Sequence, residues 1–499
     1  MNYPELLKKI DAFIAEHRQE MLADLAALVE VPSVAIKSGS HGMPYGENCQ
    51  TVMYHTKAIA EKLGFVTKIV DNAILTVEYG GKPVQFGILA HLDVVDAGEG
   101  WNTPPYQMIL DGDILHGRGV ADDKGAAVAS LYAMKAAREI CPDLPYSPMA
   151  WLGTAEEIGS PDLKNYLRHS SLPRYNLTPD ATDPIVIGEG AKHRPAISAE
   201  WEASDAQPQV VYLQGGKVRN AIPAYAEALI AGMTAAEAEA LATVYREKTE
   251  VEFLLEDTAE GLMIRASGRG AHINHPLSGR NGQTALVGLL SQLPLADCAS
   301  TATIRALAKV FPYGDLSGAA LGLTVRDDIM GAPRVNFTTC KLTTTGFFGQ
   351  FDSRGPTNAT PENFAHVIDR ALREAGFTVE EAEMDGAHYV PETEPIVSLV
   401  KELYRGVRGY DAKCCLSSVP ATPTSWTVPS PPDGPPPVSI QKSTKQMNAF
   451  PWMTSTKWYR STHWQFCVCA ARIPSDVSVN PQSPRPNGRG LQLMWGGDY

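Results

Sequence analysis

The sequence predicts an α/β protein with a mostly parallel sheet, into which a smaller α+β domain is inserted. Three observations carry this. Short apolar strands alternate with amphipathic helices between residues 65 and 157, the pattern of a parallel sheet covered by helices. The texture changes near residue 191, where strand-like segments with turns dominate. The chain has 499 residues, enough for two to four domains at roughly 100–200 residues each.

The elements follow in order. Residues 4–30 keep Leu6, Leu7, Ile10, Phe13 and Ile14 at helical spacing. A Gly-rich loop and a helix over 51–63 come next. FVTKIV, AILTVEYG and VQFGILAHLDVV read as strands, the last nearly continuous in apolar residues, as burial on both faces requires. KGAAVASLYAMKAAREI (124–140) is a strong helix, and PMAWLGTAEE (148–157) contains a buried strand. Beyond 191, VVYLQGG, AYAEALIAG, VEFLLED and LMIRASG interleave with helices over 234–249 and 281–293. Two further amphipathic helices cover 362–376 and 395–407. The predicted domains are 1–190, the inserted 191–385, a return segment 386–417, and a tail 418–499.

Composition narrows the partners. The net charge is −13, which argues against nucleic acid or an anionic membrane as a partner. No apolar run reaches 18 residues, the length a spanning helix needs. The N-terminus is charged and amphipathic, unlike a secretory signal. Eight scattered cysteines in so long a chain need no disulfide framework. A cytoplasmic protein, monomeric or homodimeric, is expected.

Four clusters carry chemistry. His91 and Asp93 lie two apart where VQFGILA ends, so they share one side of the strand exit. Ligand sites of open α/β sheets lie at strand carboxyl ends. There an imidazole can ligate a divalent metal while a carboxylate holds its other nitrogen. Asp122 and Asp123 precede the helix at 124; capping explains one acidic residue there, and a metal-bridging carboxylate is a use for two. Glu156 and Glu157 follow a strand and would repel each other without a cation or a shared proton. One can ligate while the other serves as general base. Asp180, in TPDATDP, stands before the apolar PIVIGEG. Such an oxygen-rich set with one His suits zinc, manganese or cobalt in a hydrolytic dinuclear site. No Walker loop, no GxGxxG after a strand, and no GxSxG, HExxH or CxxC pair is present.

GILAHLDVV, WNTPPYQMILDGDILHGRGVADDKG and TAEEIGS together resemble the zinc peptidase superfamily of carboxypeptidase G and aminoacylase, and most of all its PepV-type dipeptidases. The resemblance spans residues 1 to about 415. It implies a zinc-peptidase catalytic domain and an inserted lid. It implies two zinc ions, one held by His91, Asp122 and Asp180, the second by Asp122 and Glu157. Asp93 would orient His91, Glu156 would be the general base, and the Asp122–Asp123 peptide bond would be cis. In the inserted domain, GGKVRNAIP resembles the family's GGxxxNxVP segment and places Asn220 near the substrate. GAHINHP resembles the lid segment whose histidine, His272, stabilises the oxyanion; Ile273 and Asn274 replace the usual small residues after it, and His275 is read as structural. FDSRGP resembles the segment whose arginine, Arg354, binds the substrate carboxylate. The implied reaction is hydrolysis of a dipeptide, including β-alanyl peptides in some members. An N-acyl-amino-acid amidohydrolase of the same superfamily, an impaired non-enzymatic relative, and an interaction module in the tail remain as alternatives.

The tail differs in kind. No Glu follows Glu402, and residues 416–499 hold 13 of the 37 prolines and 5 of the 8 tryptophans. A Pro-rich disordered tail is one reading; five tryptophans fit it poorly. A shifted reading frame after about Ser417 is the other. Codons built from the third base of one codon and the first two of the next force Glu at Met447–Asn448. They force Asp-Asp across Trp452–Met453–Thr454 and Val at Trp458–Tyr459. From His463 to Cys467 they force Leu, Ala, Ile or Val, and Leu. His-Gln is allowed at Ser443–Thr444–Lys445, four positions before that Glu. The shifted text can therefore read HQxxE followed by an acidic, apolar-rich helix. In the resembled family such a segment supplies the last zinc-ligand histidine.

Overall fold

A computed structural model describes residues 3–112, 114–181, 185–273, 276–417, 449–450 and 491–496. The described residues divide into two compact units, one of residues up to 188 with 389–415 and the two tail strands, the other of 189–388 with 416–417.

The first unit opens with helices α1 (Tyr3–Val29) and α2 (Glu47–Lys62). The hairpin β1 (Val66–Val70) and β2 (Ile74–Glu78) precedes β3 (Val84–His91), and a small hairpin pairs β4 (Ile109–Asp111) with β5 (Ile114–His116). Helix α3 (Lys124–Ile140), β6 (Ser147–Gly153), α4 (Pro161–His169), β7 (Tyr175–Ala181) and β8 (Ile185–Glu189) complete its first part. The sheet runs β1-β2-β6-β3-β7 and on toward β8. Its centre is parallel, with β3 between β6 and β7, and the β1–β2–β6 flank is antiparallel. Strand β3 is buried from Phe86 to His91, which explains its unbroken apolar run.

Helix α3 is buried over nearly its whole length because its small residues let α1 approach. Ile10, Phe13, Ile14 and Leu28 of α1 are buried along with Val128, Leu131 and Tyr132 of α3. Tyr132 Oη donates to Asp24 at 2.7 Å. The Lys124 ammonium, fully buried, donates to the carbonyls of Leu28 at 2.9 Å and Val31 at 2.7 Å. It thus ties the start of α3 to the end of α1, where carbonyls lack helical partners. Burial pushes its pKa down to about 7.

The second unit is a mostly antiparallel sheet with helices. Its strands are β9 (Ala191–Lys192), β10 (Ala196–Glu200), β11 (Gln209–Gly215), β12 (Ala221–Ile222), β13 (Tyr225–Ala231), β14 (Glu252–Thr258), β15 (Gly261–Ser267), β16 (Ala271–His272), β17 (Arg334–Leu342), β18 (Gly346–Gly355) and β19 (Thr378–Val379). The main order is β14-β15-β13-β11-β17-β18-β10-β19, while β12 and β16 form their own pair. Helices α5 (Ala235–Thr249), α6 (Gly282–Gln292), α7 (Ala299–Val310) and α8 (His366–Glu374) accompany it. A capping box at Thr234 and Glu237 starts α5. Helix α7 was not expected from the sequence: Ile304, Leu307 and Val310 make a buried line, but the first half of the helix, Ala299 to Thr303, is only Ala, Ser and Thr and carries no apolar periodicity.

The chain returns to the first unit through β20 (His388–Tyr389), α9 (Pro395–Arg408) and β21 (Cys414–Ser417). Of the tail, β22 (Ala449–Phe450) pairs with β5, and β23 (Leu491–Gly496) lies parallel to β7. Most of the segment expected to be read out of frame lies outside the described residues. Among the described residues no helix is long and apolar enough to cross a membrane.

Candidate active site

Apart from the Asp122–Asp123 pair, every candidate residue of the first unit comes from the carboxyl end of a strand or the turn after it. His91 is the last residue of β3, Asp180 stands one residue before the end of β7, and Glu156 and Glu157 follow β6. Asp122 and Asp123 lie just before α3, and the peptide bond between them is cis.

These side chains converge. His91 Nε2 stands 3.0 Å from Asp122 Oδ1 and 3.7 Å from Asp180 Oδ2. Ligand atoms of His91, Asp122 and Glu157 lie within 4.8 Å of one another, and so do those of His91, Glu156 and Asp180. His91 Nδ1 donates to the Asp93 backbone carbonyl at 2.9 Å and faces the Asp93 carboxylate at 3.4 Å. With its proton fixed on Nδ1, a neutral ring turns the lone pair of Nε2 toward the carboxylates.

The Asp93 carboxylate makes its closest contacts elsewhere. It accepts the backbone N–H groups of Glu156 at 3.1 Å and Glu157 at 3.0 Å. Asp162 of α4 accepts those of Thr154 at 2.7 Å and Ala155 at 3.1 Å. Two buried carboxylates therefore collect four successive amides and fix the turn that presents both glutamates. Asp162 was not singled out in the sequence, where it reads as an ordinary acidic residue in the first turn of a helix. Burial raises its pKa to about 6, against the amides it accepts.

The electrostatics of the cluster are those of a site short of positive charge. Burial and then the neighbouring Asp122 push Glu157 up to about 8. Asp180 is raised to about 7, by burial first and by Asp122 further on, with His91 opposing. Asp123, fully buried, is held well above the carboxylate range by burial and Asp180. Asp122 is lowered: burial opposes ionisation, but its contact with His91 outweighs it. Burial also works against a charged His91, yet Asp122, Asp93, Asp123 and Asp180 together raise its pKa well above the usual value. One Asp123 oxygen is buried without a hydrogen-bond partner among the described residues. A divalent cation suits the side chains grouped around His91: four oxygen donors, one imidazole and an excess of negative charge that otherwise must hold protons. The residues present fit such an ion.

The remaining candidates belong to the second unit. His272 pairs through its backbone with Ala221, and the Ile273 N–H donates to the Asn220 carbonyl at 3.1 Å, so the Asn220 and His272 segments adjoin. Arg354 lies near the end of β18 and is held by Asp352, Nε to Oδ1 at 2.6 Å and Nη2 to Oδ2 at 3.0 Å. His275 lies outside the described residues.

A parallel-centred α/β sheet whose strand ends gather carboxylates and an imidazole defines a hydrolase of the metal-dependent class. The family model of Peptidase family M20/M25/M40 matches residues 87–426, and the chain belongs to that family. Among curated relatives, "Putative dipeptidase YtjP" of Bacillus subtilis is 26% identical over 409 residues, covering 80% of this chain and 86% of that protein. A relative from Staphylococcus saprophyticus, also named as a putative dipeptidase, is 27% identical over 419 residues with the same coverage. Solved structures share the fold. The Saccharomyces cerevisiae di-peptidase Dug1p superposes with a TM-score of 0.54 at 11% identity, over 94% of this chain and 99% of that one. The metallo-carboxypeptidase Sso-CP2 of Sulfolobus solfataricus gives 0.52 at 17%, over 91% and 99%.

Asp93→Ala is expected to weaken divalent-metal binding by about 10–100-fold, the usual effect of losing a residue that orients metal ligands. It frees the Glu156 and Glu157 amides and one contact of His91 together. Calorimetric titration of zinc into the metal-stripped variant and wild type checks this; equal affinities would contradict it.

Proposed function

We propose that this chain hydrolyses dipeptides through two divalent ions, zinc in the first place, with manganese or cobalt suited to the same donors. The observation that carries this reading is the gathering of Asp122, Glu156, Glu157 and Asp180 around His91. His91, Asp122 and Asp180 would hold one ion, Asp122 and Glu157 the other. Bound ions would supply Lewis acidity toward the scissile carbonyl and toward the attacking water.

The chain's own residues do the rest. Glu156, beside His91 and Asp180, is the more exposed of the two glutamates and so can also reach substrate. It takes the proton of the attacking water and hands it to the leaving amine. Asp93 holds both glutamates by their amides and positions His91. His272 donates to the developing oxyanion, a contribution of about 3–4 kcal/mol where such donors have been removed. Asn220 contacts the substrate. Arg354 pairs with a free C-terminal carboxylate, for which a guanidinium fork is suited. The dipeptidase names of the relatives support the substrate class. An N-acyl-amino-acid substrate would use the same machinery, and an assay of both classes separates the two.

Glu156→Gln should retain metal and lose nearly all turnover on a panel of dipeptides assayed with added zinc or manganese. Metal content and initial rates, measured together, check it. An active Glu156→Gln enzyme, or one that has lost its metal, would overturn the role of Glu156.

We also propose that residues 418–499 are translated from a shifted frame, which removes a histidine ligand of the second ion and an apolar helix. The forced Glu, Asp-Asp and Leu codons support it. Metal binding and activity of the chain as it stands should then be weak. Resequencing across the region, with peptide mapping of the native protein, decides it; native peptides from residues 418–499 would refute it.

A further inference from the structure

Strand β6 ends on Gly153, and the turn after it carries Glu156 and Glu157. Gly153 pairs with His91 across the sheet, and its carbonyl accepts the Leu92 N–H at 2.8 Å. The turn therefore starts level with the imidazole. Asp162, the second residue of α4 and only 4% exposed, reaches back onto it. Its Oδ2 takes the N–H groups of Thr154 and Ala155 together, while its Oδ1 takes the Leu163 N–H at 2.8 Å.

The surroundings are built for this carboxylate. A Cβ on Gly153 would lie 2.6 Å from Asp162 Oδ2, closer than packed atoms come. Gly153 is not in the left-handed region, so its own backbone does not call for glycine; the approach of the carboxylate does. Ala155, the residue before Glu156, is held on both sides. Its N–H goes to Asp162, and its carbonyl accepts the Ser160 N–H at 2.9 Å. With Asp93 on the Glu156 N–H, the peptide groups leading into Glu156 are all engaged. Three N–H groups on one carboxylate also exclude asparagine: whichever way its amide is turned, the NH2 meets an N–H. Because burial raises the pKa of Asp162, the folded state favours its protonated form, and the ionised form present at neutral pH lowers stability. A carboxylate kept here at that cost serves the turn.

We propose that Asp162 is a positioning residue for catalysis: by holding the Thr154 and Ala155 amides it sets where Glu156 stands, and Gly153 is bare so that it can. The proposal rests on the reading of Glu156 as general base and adds to it the group that places it.

The test compares the full-length wild type with Asp162→Asn, Gly153→Ala and Glu156→Gln. Gly153→Ala keeps the carboxylate and pushes it off the amides, so it checks the same contact by a different route. Hydrogen exchange is followed by mass spectrometry over residues 150–160, and turnover of L-alanyl-L-alanine is measured with added manganese. Both Asp162→Asn and Gly153→Ala should speed exchange at 154–157 about tenfold, the loss of roughly one buried hydrogen bond, and leave α1 and β13 unchanged. Both should lower kcat about tenfold with KM within about twofold, because a displaced base is felt in the transition state and not in substrate binding. Unchanged exchange at 154–157 would overturn the proposal. Faster exchange throughout the unit would overturn it too, by making Asp162 a general structural residue, and so would faster local exchange with an unchanged kcat. Glu156→Gln separates the two readings. If it turns over like wild type, the general-base reading falls, while exchange still decides whether Asp162 fixes the turn. If it is inactive and Asp162→Asn matches wild type, Glu156 keeps its role and only the proposal for Asp162 falls.

Discussion

The repulsion among the carboxylates around His91 is the constraint that organises the first unit. Asp122, Asp123, Glu157 and Asp180 are gathered where burial already disfavours their charge, and each except Asp122 has its pKa raised. A protein holds such a cluster only by spending other interactions on it. Those interactions are visible in the buried groups behind the cluster: Lys124 on the carbonyls ending α1, Asp93 and Asp162 on the amides of residues 154–157. The sheet brings the three strand ends together, and these clamps fix the turns that follow. The outcome is a negative pocket with one imidazole, poised for a cation and otherwise held together by protons.

The second unit shows the opposite imbalance. There the buried carboxylate Asp352 draws in two guanidinium groups, Arg354 of its own strand and Arg194. A peptide substrate carries both complements: a carbonyl that a metal centre activates and a terminal carboxylate that arginine binds. The two units thus divide the proposed chemistry by charge.

Much of the site was legible in the sequence because its residues sit at strand ends in motifs with fixed neighbours. His91, Asp122, Glu156, Glu157 and Asp180 could be named from HLD, ADDKG, TAEEIG and the Asp before PIVIGEG, and the resemblance assigned them roles. Other features could not be read, for physical reasons. That the Asp93 carboxylate serves the amides of Glu156 and Glu157 is a contact between residues more than 60 positions apart, set by the β3–β6 pairing. Asp162 looks like any acidic residue at a helix start. The fold was legible where periodicity was strong, as in α1, α3 and β3, and not in α7, whose small and hydroxylated residues blur its apolar face.

The most direct test of the account is whether the carboxylate cluster takes up divalent metal. Metal-stripped protein at neutral pH should melt at progressively higher temperature as zinc or manganese is added, since an ion bound only by the folded state stabilises it in proportion to its occupancy. Asp122→Asn, which removes the carboxylate shared by both proposed ions, should abolish most of that rise. A melting temperature indifferent to both metals up to millimolar concentration, or a rise of equal size in Asp122→Asn, would contradict the metal centre on which the proposed function depends.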